Sequence, residues 1–190
     1  PHIVRYFASC SFKKGKVFAI VTELLTGGSL LDRMRKNPGA KEVGRWVGEV
    51  AAALAHMHSL RVQHRDVKPD NVLLDSAGCA KLIDVGLAAT LNSKSRVSTR
   101  AGGMVGTTLY MSPEKGSGKS YDGKDDVWAL GLILAGGAIG APLEDMGLNT
   151  TGIFALNRDG VDTLVQRAKD ASAAFGSLVH SMLKNAPTQR

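Results

Sequence analysis

Only two cysteines, Cys10 and Cys79, occur in 190 residues, and they form no Cys-x-x-Cys pair. That scarcity excludes a disulfide framework and a cysteine-based zinc site, and it makes a reducing compartment the default. Aromatic residues are scarce too, at 5%. The 24 Lys and Arg give a net charge of +7, yet they are scattered, as Lys13, Arg33, Lys94 and Lys124 illustrate. They lack the interleaved aromatics on which single-stranded nucleic acid stacks. An ordinarily solvated surface reads this charge better, and no nucleic-acid partner is expected. No apolar run reaches membrane-spanning length. The longest, Val127 to Ala141, is broken by Gly131, Gly136, Gly137 and Gly140. No signal peptide is visible. The chain opens on Pro1 rather than Met, so a fragment is expected.

What is present suffices for a packed core. The apolar fraction is 44%, ordinary for one globular domain or slightly more. Val17 to Thr22 is a continuous apolar run and reads as a buried strand, punctuated by Gly27-Gly28-Ser29. A short helix is expected through Met34. Val43, Trp46, Val47, Val50, Leu54, Met57 and Leu60 recur at helical spacing, which predicts a helix over Lys41 to Leu60. Val72 to Leu74 and Ala80 to Ile83 flank Ser76-Ala77-Gly78 as a small hairpin. Ala88 to Gly106 is polar and aperiodic, a long loop. Val127 to Ile139 is apolar all round, as a buried helix would be, with Asp125-Asp126 just before it at the favourable end of the helix dipole. Asp162 to Lys184 reads as one or two helices stopped near Pro187. The pattern is mainly helical with a few short strands.

The most informative stretch is His64-Arg65-Asp66-Val67-Lys68-Pro69-Asp70-Asn71, followed by Asp84-Val85-Gly86. Phosphoryl transfer needs an Asp to orient and deprotonate a hydroxyl, a Lys to neutralise the moving phosphoryl, and metal ligands for the nucleotide. Any one of these side chains alone would be read as an ordinary turn residue. Their order and offsets make the joint coincidence improbable.

These motifs resemble the catalytic loop and metal-binding triplet of eukaryotic serine/threonine protein kinases. The resemblance implies an α+β, protein-kinase-like fold. Residues 1–25 would be a remnant of the N-lobe sheet with the hinge. Residues 26–190 would be a mainly helical C-lobe with short β-hairpins, ending before its last helix. It implies transfer of the ATP γ-phosphoryl to Ser or Thr hydroxyls of protein substrates, with ATP and Mg2+ as cofactors, in the cytoplasm or nucleus. Asp66 would be the base, Lys68 would sit over the phosphoryl, and Thr107 would shape the pocket beside the substrate residue. Lys68 also points to Ser/Thr rather than Tyr substrates. Asn71 and Asp84 would bind magnesium and so the nucleotide. Leu73 would pack beneath the adenine ring, and Glu23 to Leu25 would form the hinge that reads its edge, with Thr22 the small residue behind it. His64 would be a packed structural histidine, not a ligand or base. Arg65 would pair with a phosphorylated residue, for which Ser98 or Thr99 in the long loop is the candidate; a solvated Arg and a simply polar loop are the alternatives. Glu114, in Ser112-Pro113-Glu114, would pair with Arg190, and Asp126 would accept hydrogen bonds from the catalytic loop.

Three departures from the family pattern stand out. Val85 replaces the usual Phe, a smaller side chain that would separate active and inactive positions less sharply. The glycines between Gly131 and Gly152 predict a locally weak region, since each helix-interior Gly costs roughly 0.5–1 kcal/mol relative to Ala. The residues supply no Gly-x-Gly-x-x-Gly loop, strand Lys or helix Glu for the nucleotide phosphates. These 190 residues alone are therefore expected to be inactive, and a pseudokinase or scaffold module is the alternative reading.

Overall fold

The computed structural model describes residues 1–12, 17–85, 89–90, 108–119, 121–148 and 154–190. Strands β1 (Tyr6–Phe12) and β2 (Val17–Thr22) pair antiparallel. Helix α1 (Leu30–Met34) starts at Ser29, whose hydroxyl accepts the Asp32 N–H as an N-cap should. Helix α2 (Ala40–Ser59) buries the predicted stripe of Val43, Trp46, Val47, Val50, Leu54 and Met57. Strand β3 (Val62–Gln63) follows directly.

Strands β4 (Val72–Leu74) and β5 (Ala80–Leu82) form the expected hairpin. It is flanked on both edges. Gly27 N–H donates to Leu74 O and Leu74 N–H to Gly28 O, while Leu82 N–H donates to His2 O and Val4 N–H to Leu82 O. Strand β6 (Ala89–Thr90) pairs with β3. The stretch expected as one long loop therefore contributes two residues to a sheet. All of the rest of it lies outside the described residues.

The short helix α3 (Pro113–Gly116) precedes the central helix α4 (Lys124–Ile139). Helix α4 begins earlier than its apolar run predicts. Asp125 and Asp126 occupy its first turn rather than preceding it, and both are buried. Helices α5 (Arg158–Ala171) and α6 (Ala173–Met182) close the fold. Leu132, Ile133 and Leu134 of α4 are fully buried between α2 and the α5–α6 pair.

One expectation is corrected. Strand β2 is exposed on both faces rather than buried, with Phe18 67% and Ile20 61% accessible. The apolar run correctly marked a strand, but among the described residues only β1 lies against it. The glycines Gly131, Gly136 and Gly137 of α4 face close neighbours. A Cβ on Gly137 would lie 2.2 Å from Val43 Cγ1 of α2, so the absent side chain lets two helices approach closely.

Candidate active site

The loop from His64 to Asn71 is built from α4 upward. Asp126, buried in the first turn of α4, accepts the His64 N–H at 3.0 Å through Oδ2 and the Arg65 N–H at 2.9 Å through Oδ1. Its Oδ2 also accepts from His58 Nε2 at 2.8 Å. Val67 and Val72 anchor the loop in the core at either side of the polar residues. Lys68 is extended, as a residue before proline prefers, and Pro69 opens the single turn Pro69–Asn71.

His64 is completely buried. Its Nε2 faces the Ile83 carbonyl at 2.9 Å, and its Nδ1 faces the Asp66 N–H at 3.3 Å. A carbonyl only accepts and an amide N–H only donates, so the ring is the neutral Nε2–H tautomer.

Asp66 Oδ2 accepts from Lys68 Nζ at 2.9 Å and from Asn71 Nδ2 at 2.8 Å. Asn71 Nδ2 also donates to the Asp66 carbonyl at 2.8 Å. The three residues expected to carry the chemistry thus share one carboxylate oxygen. Among the described residues, nothing donates to Oδ1.

Asp84 is tied to the same loop through its neighbour. Ile83 N–H donates to the Asn71 carbonyl at 2.9 Å, and the Ile83 carbonyl accepts from His64. Asp84 is exposed and adopts φ 58; Arg65 adopts φ 73. Left-handed backbone at non-glycine residues costs about 1–3 kcal/mol each and gathers at functional sites.

On the hinge side, Glu23 N–H donates to the Arg5 carbonyl at 2.9 Å. The Glu23 carboxylate accepts from Lys81 Nζ of β5 at 2.9 and 3.0 Å and from the Arg5 N–H. The Lys81 ammonium and the Arg5 amide hold its carboxyl below the usual range. Thr22 Oγ1 donates to the Glu23 carbonyl at 3.3 Å. Leu24 is exposed, Leu25 is half-buried, and Leu73 on β4 bridges to Ser29.

Glu114 and Arg190 meet across 76 residues of sequence, with Oε2 2.5 Å from the guanidinium. Arg190 is fully buried in its side chain and lies 5.2 Å over the Trp128 ring. Tyr110 donates to Glu144 at 3.0 Å, and burial pushes both groups up from their ordinary values. Thr107, Ser98, Thr99 and Gly86 lie outside the described residues.

Several site residues escaped the sequence reading. His58, Lys81, Lys115, Tyr121 and Asp125 all touch the framework above, through partners 10 to 68 positions away. No local pattern carries that information.

Asn71 and Asp84 supply an amide and a carboxylate. Magnesium takes few protein oxygens and leaves most positions to water and phosphate, so two such ligands suit it. No cluster of three or more His, Cys, Asp or Glu suited to a metal occurs among the described residues. Among the same residues no helix is long and apolar enough to cross a membrane.

Comparison with known proteins places these residues in a wider setting. The protein kinase domain model matches residues 1–190. A cGMP-dependent protein kinase of Plasmodium berghei is 38% identical over 136 residues, covering 70% of this chain and 15% of that protein. The MAP kinase kinase skh1/pek1 of Schizosaccharomyces pombe is 36% identical over 140 residues, covering 70% and 37%. Serine/threonine-protein kinase 36 of Mus musculus is 33% identical over 192 residues, covering 100% and 14%. The chain thus spans well under half the length of these relatives.

Proposed function

The chain belongs to the protein kinase domain family, and on that footing we propose that the protein transfers the ATP γ-phosphoryl group to Ser or Thr hydroxyls of protein substrates. The carrying observation is the shared Asp66 carboxylate, held by Lys68 and Asn71. With Oδ2 fixed by two donors, Oδ1 orients the acceptor hydroxyl and takes its proton as the phosphoryl arrives. Lys68 brings positive charge to the transferring group. The Asn71 amide oxygen and the Asp84 carboxylate would hold magnesium, which neutralises phosphate charge when bound. Leu73, Glu23 and Leu25 lie on the elements that would receive the adenine. Arg65 would pair with a phosphorylated residue, Ser98 or Thr99, and Thr107 would shape the pocket beside the acceptor.

We read residues 1–25 as part of the smaller lobe and 26–190 as the larger lobe. The exposed β1–β2 sheet supports this division. The cysteine usage supports the cytoplasm or nucleus, and the scattered basic charge supports protein rather than nucleic-acid partners. The test is phosphorylation of a Ser/Thr protein substrate by the full-length protein, with and without Asp66→Asn. Loss of a general base predicts a fall of about 100-fold or more; equal rates would refute the assignment. Residues 1–190 alone should bind ATP weakly, because they contain no Gly-x-Gly-x-x-Gly loop to hold the phosphates. Low-micromolar magnesium-dependent affinity by calorimetry would contradict that.

A further inference from the structure

We propose that Lys115 and Asp125 form a positioning pair that clamps the peptide joining Arg65 to Asp66, and so sets the direction of the Asp66 carboxylate. The inference rests on the functional reading above. The peptide plane immediately before Asp66 is held at both of its polar ends. Its carbonyl, that of Arg65, accepts from Lys115 Nζ at 2.5 Å. Its N–H, that of Asp66, donates to His64 Nδ1 at 3.3 Å. Lys115 is the only described side chain that donates to this carbonyl. The bond is charge-assisted, which makes it the stronger of the two restraints.

Lys115 is itself held in place. Its ammonium lies 3.0 Å from Asp125 Oδ2, and Asp125 Oδ1 accepts the Ser112 N–H at 3.2 Å. The Asp125 side chain is 5% exposed and that of Lys115 20%, so water competes little for either. Lys115 and Arg65 carry like charge, yet both lie over the Tyr121 ring, at 5.3 and 5.7 Å. The electron-rich ring face accommodates them side by side. Arg65 adopts φ 73, a backbone conformation that a free chain seldom takes.

The arrangement makes α3 a lever on the base. Ser112 caps α3 and Lys115 lies within it, whereas Asp125 and Asp126 lie in the first turn of α4. A shift of α3 against α4 releases the Arg65 carbonyl and turns the plane that carries Asp66. Lys115 is thus a positioning residue, acting through the backbone and not on substrate.

The experiment uses the full-length protein, ATP with magnesium and a Ser/Thr protein substrate, with Asp66→Asn as the baseline. Lys115→Met should lower kcat about tenfold or more, because sub-ångström misplacement of a catalytic group is costly, and leave the KM for ATP within about twofold. Lys115→Arg, which restores a charged donor, should recover most of the rate. Lys115→Met combined with Asp125→Asn leaves no unpaired buried carboxylate; it should melt near wild type and still be slow. A wild-type kcat in that double variant would overturn the inference. So would failure of both Met variants to fold, which would make the pair structural only. A wild type as inactive as Asp66→Asn would instead overturn the functional reading.

Discussion

Asp125 carries a charge where burial opposes one. Desolvation raises its carboxyl above the ordinary 3.8, and the Lys115 ammonium only partly offsets this. The folded chain therefore binds that proton more tightly than the unfolded chain does. Between the ordinary and the raised value it holds more protons, so this group's contribution to stability falls as pH rises through that window. Asp125→Asn removes the titration. Denaturant melts across a pH series should show the wild type losing stability relative to the variant as pH climbs above 3.8; parallel pH profiles would refute this. The same residue shows what a linear motif hides. Asp66, Lys68, Asn71 and Asp84 were legible because they sit within a short span. Asp125 was legible only as a helix-start charge, since its partner Lys115 and the Arg65 carbonyl come from other elements.

At the scale of elements, most of the described architecture was legible. The stripe of α2 and the apolar run of α4 report helices because burial selects side chains at the helical period. The β4–β5 hairpin follows from its turn. The glycines of α4 were not legible, because a glycine that weakens a helix and one that admits a neighbour look alike in sequence. Gly137 is of the second kind, facing Val43. Gly137→Ala should destabilise the fold by about 1–3 kcal/mol through overpacking, and Val43→Ala in the same chain should recover part of the loss. Thermal melts of the two variants decide the matter; an unchanged melting temperature for Gly137→Ala would show that α2 and α4 yield freely.

For the molecule as a whole, the apolar surface is unevenly distributed. The core lies under α2 and α4, while Tyr6, Phe7, Phe12, Phe18, Ile20 and Val21 on β1 and β2 are exposed. A two-stranded sheet with exposed apolar faces, and with edges unpaired among the described residues, favours association. Residues 1–190 prepared alone should therefore self-associate, and Phe18→Lys with Ile20→Lys should shift the population toward monomer. Sedimentation velocity at several concentrations reads this directly; identical distributions for both chains would count against the sheet as the cause.

By itself the sequence determined the family, singled out the loop from His64 to Asn71, and marked the main helices. These depend on residue types at short spacings and on burial periodicity, both of which are written along the chain. Only the tertiary structure decided how the loop is held. Asp126 under the Arg65 amide, Lys115 over its carbonyl, Ile83 between His64 and Asn71, and Arg190 against Glu114 join residues up to 76 positions apart. Such contacts follow from how helices and strands pack in three dimensions. Electrostatic and hydrogen-bond partners at that separation leave no periodic trace in a single sequence.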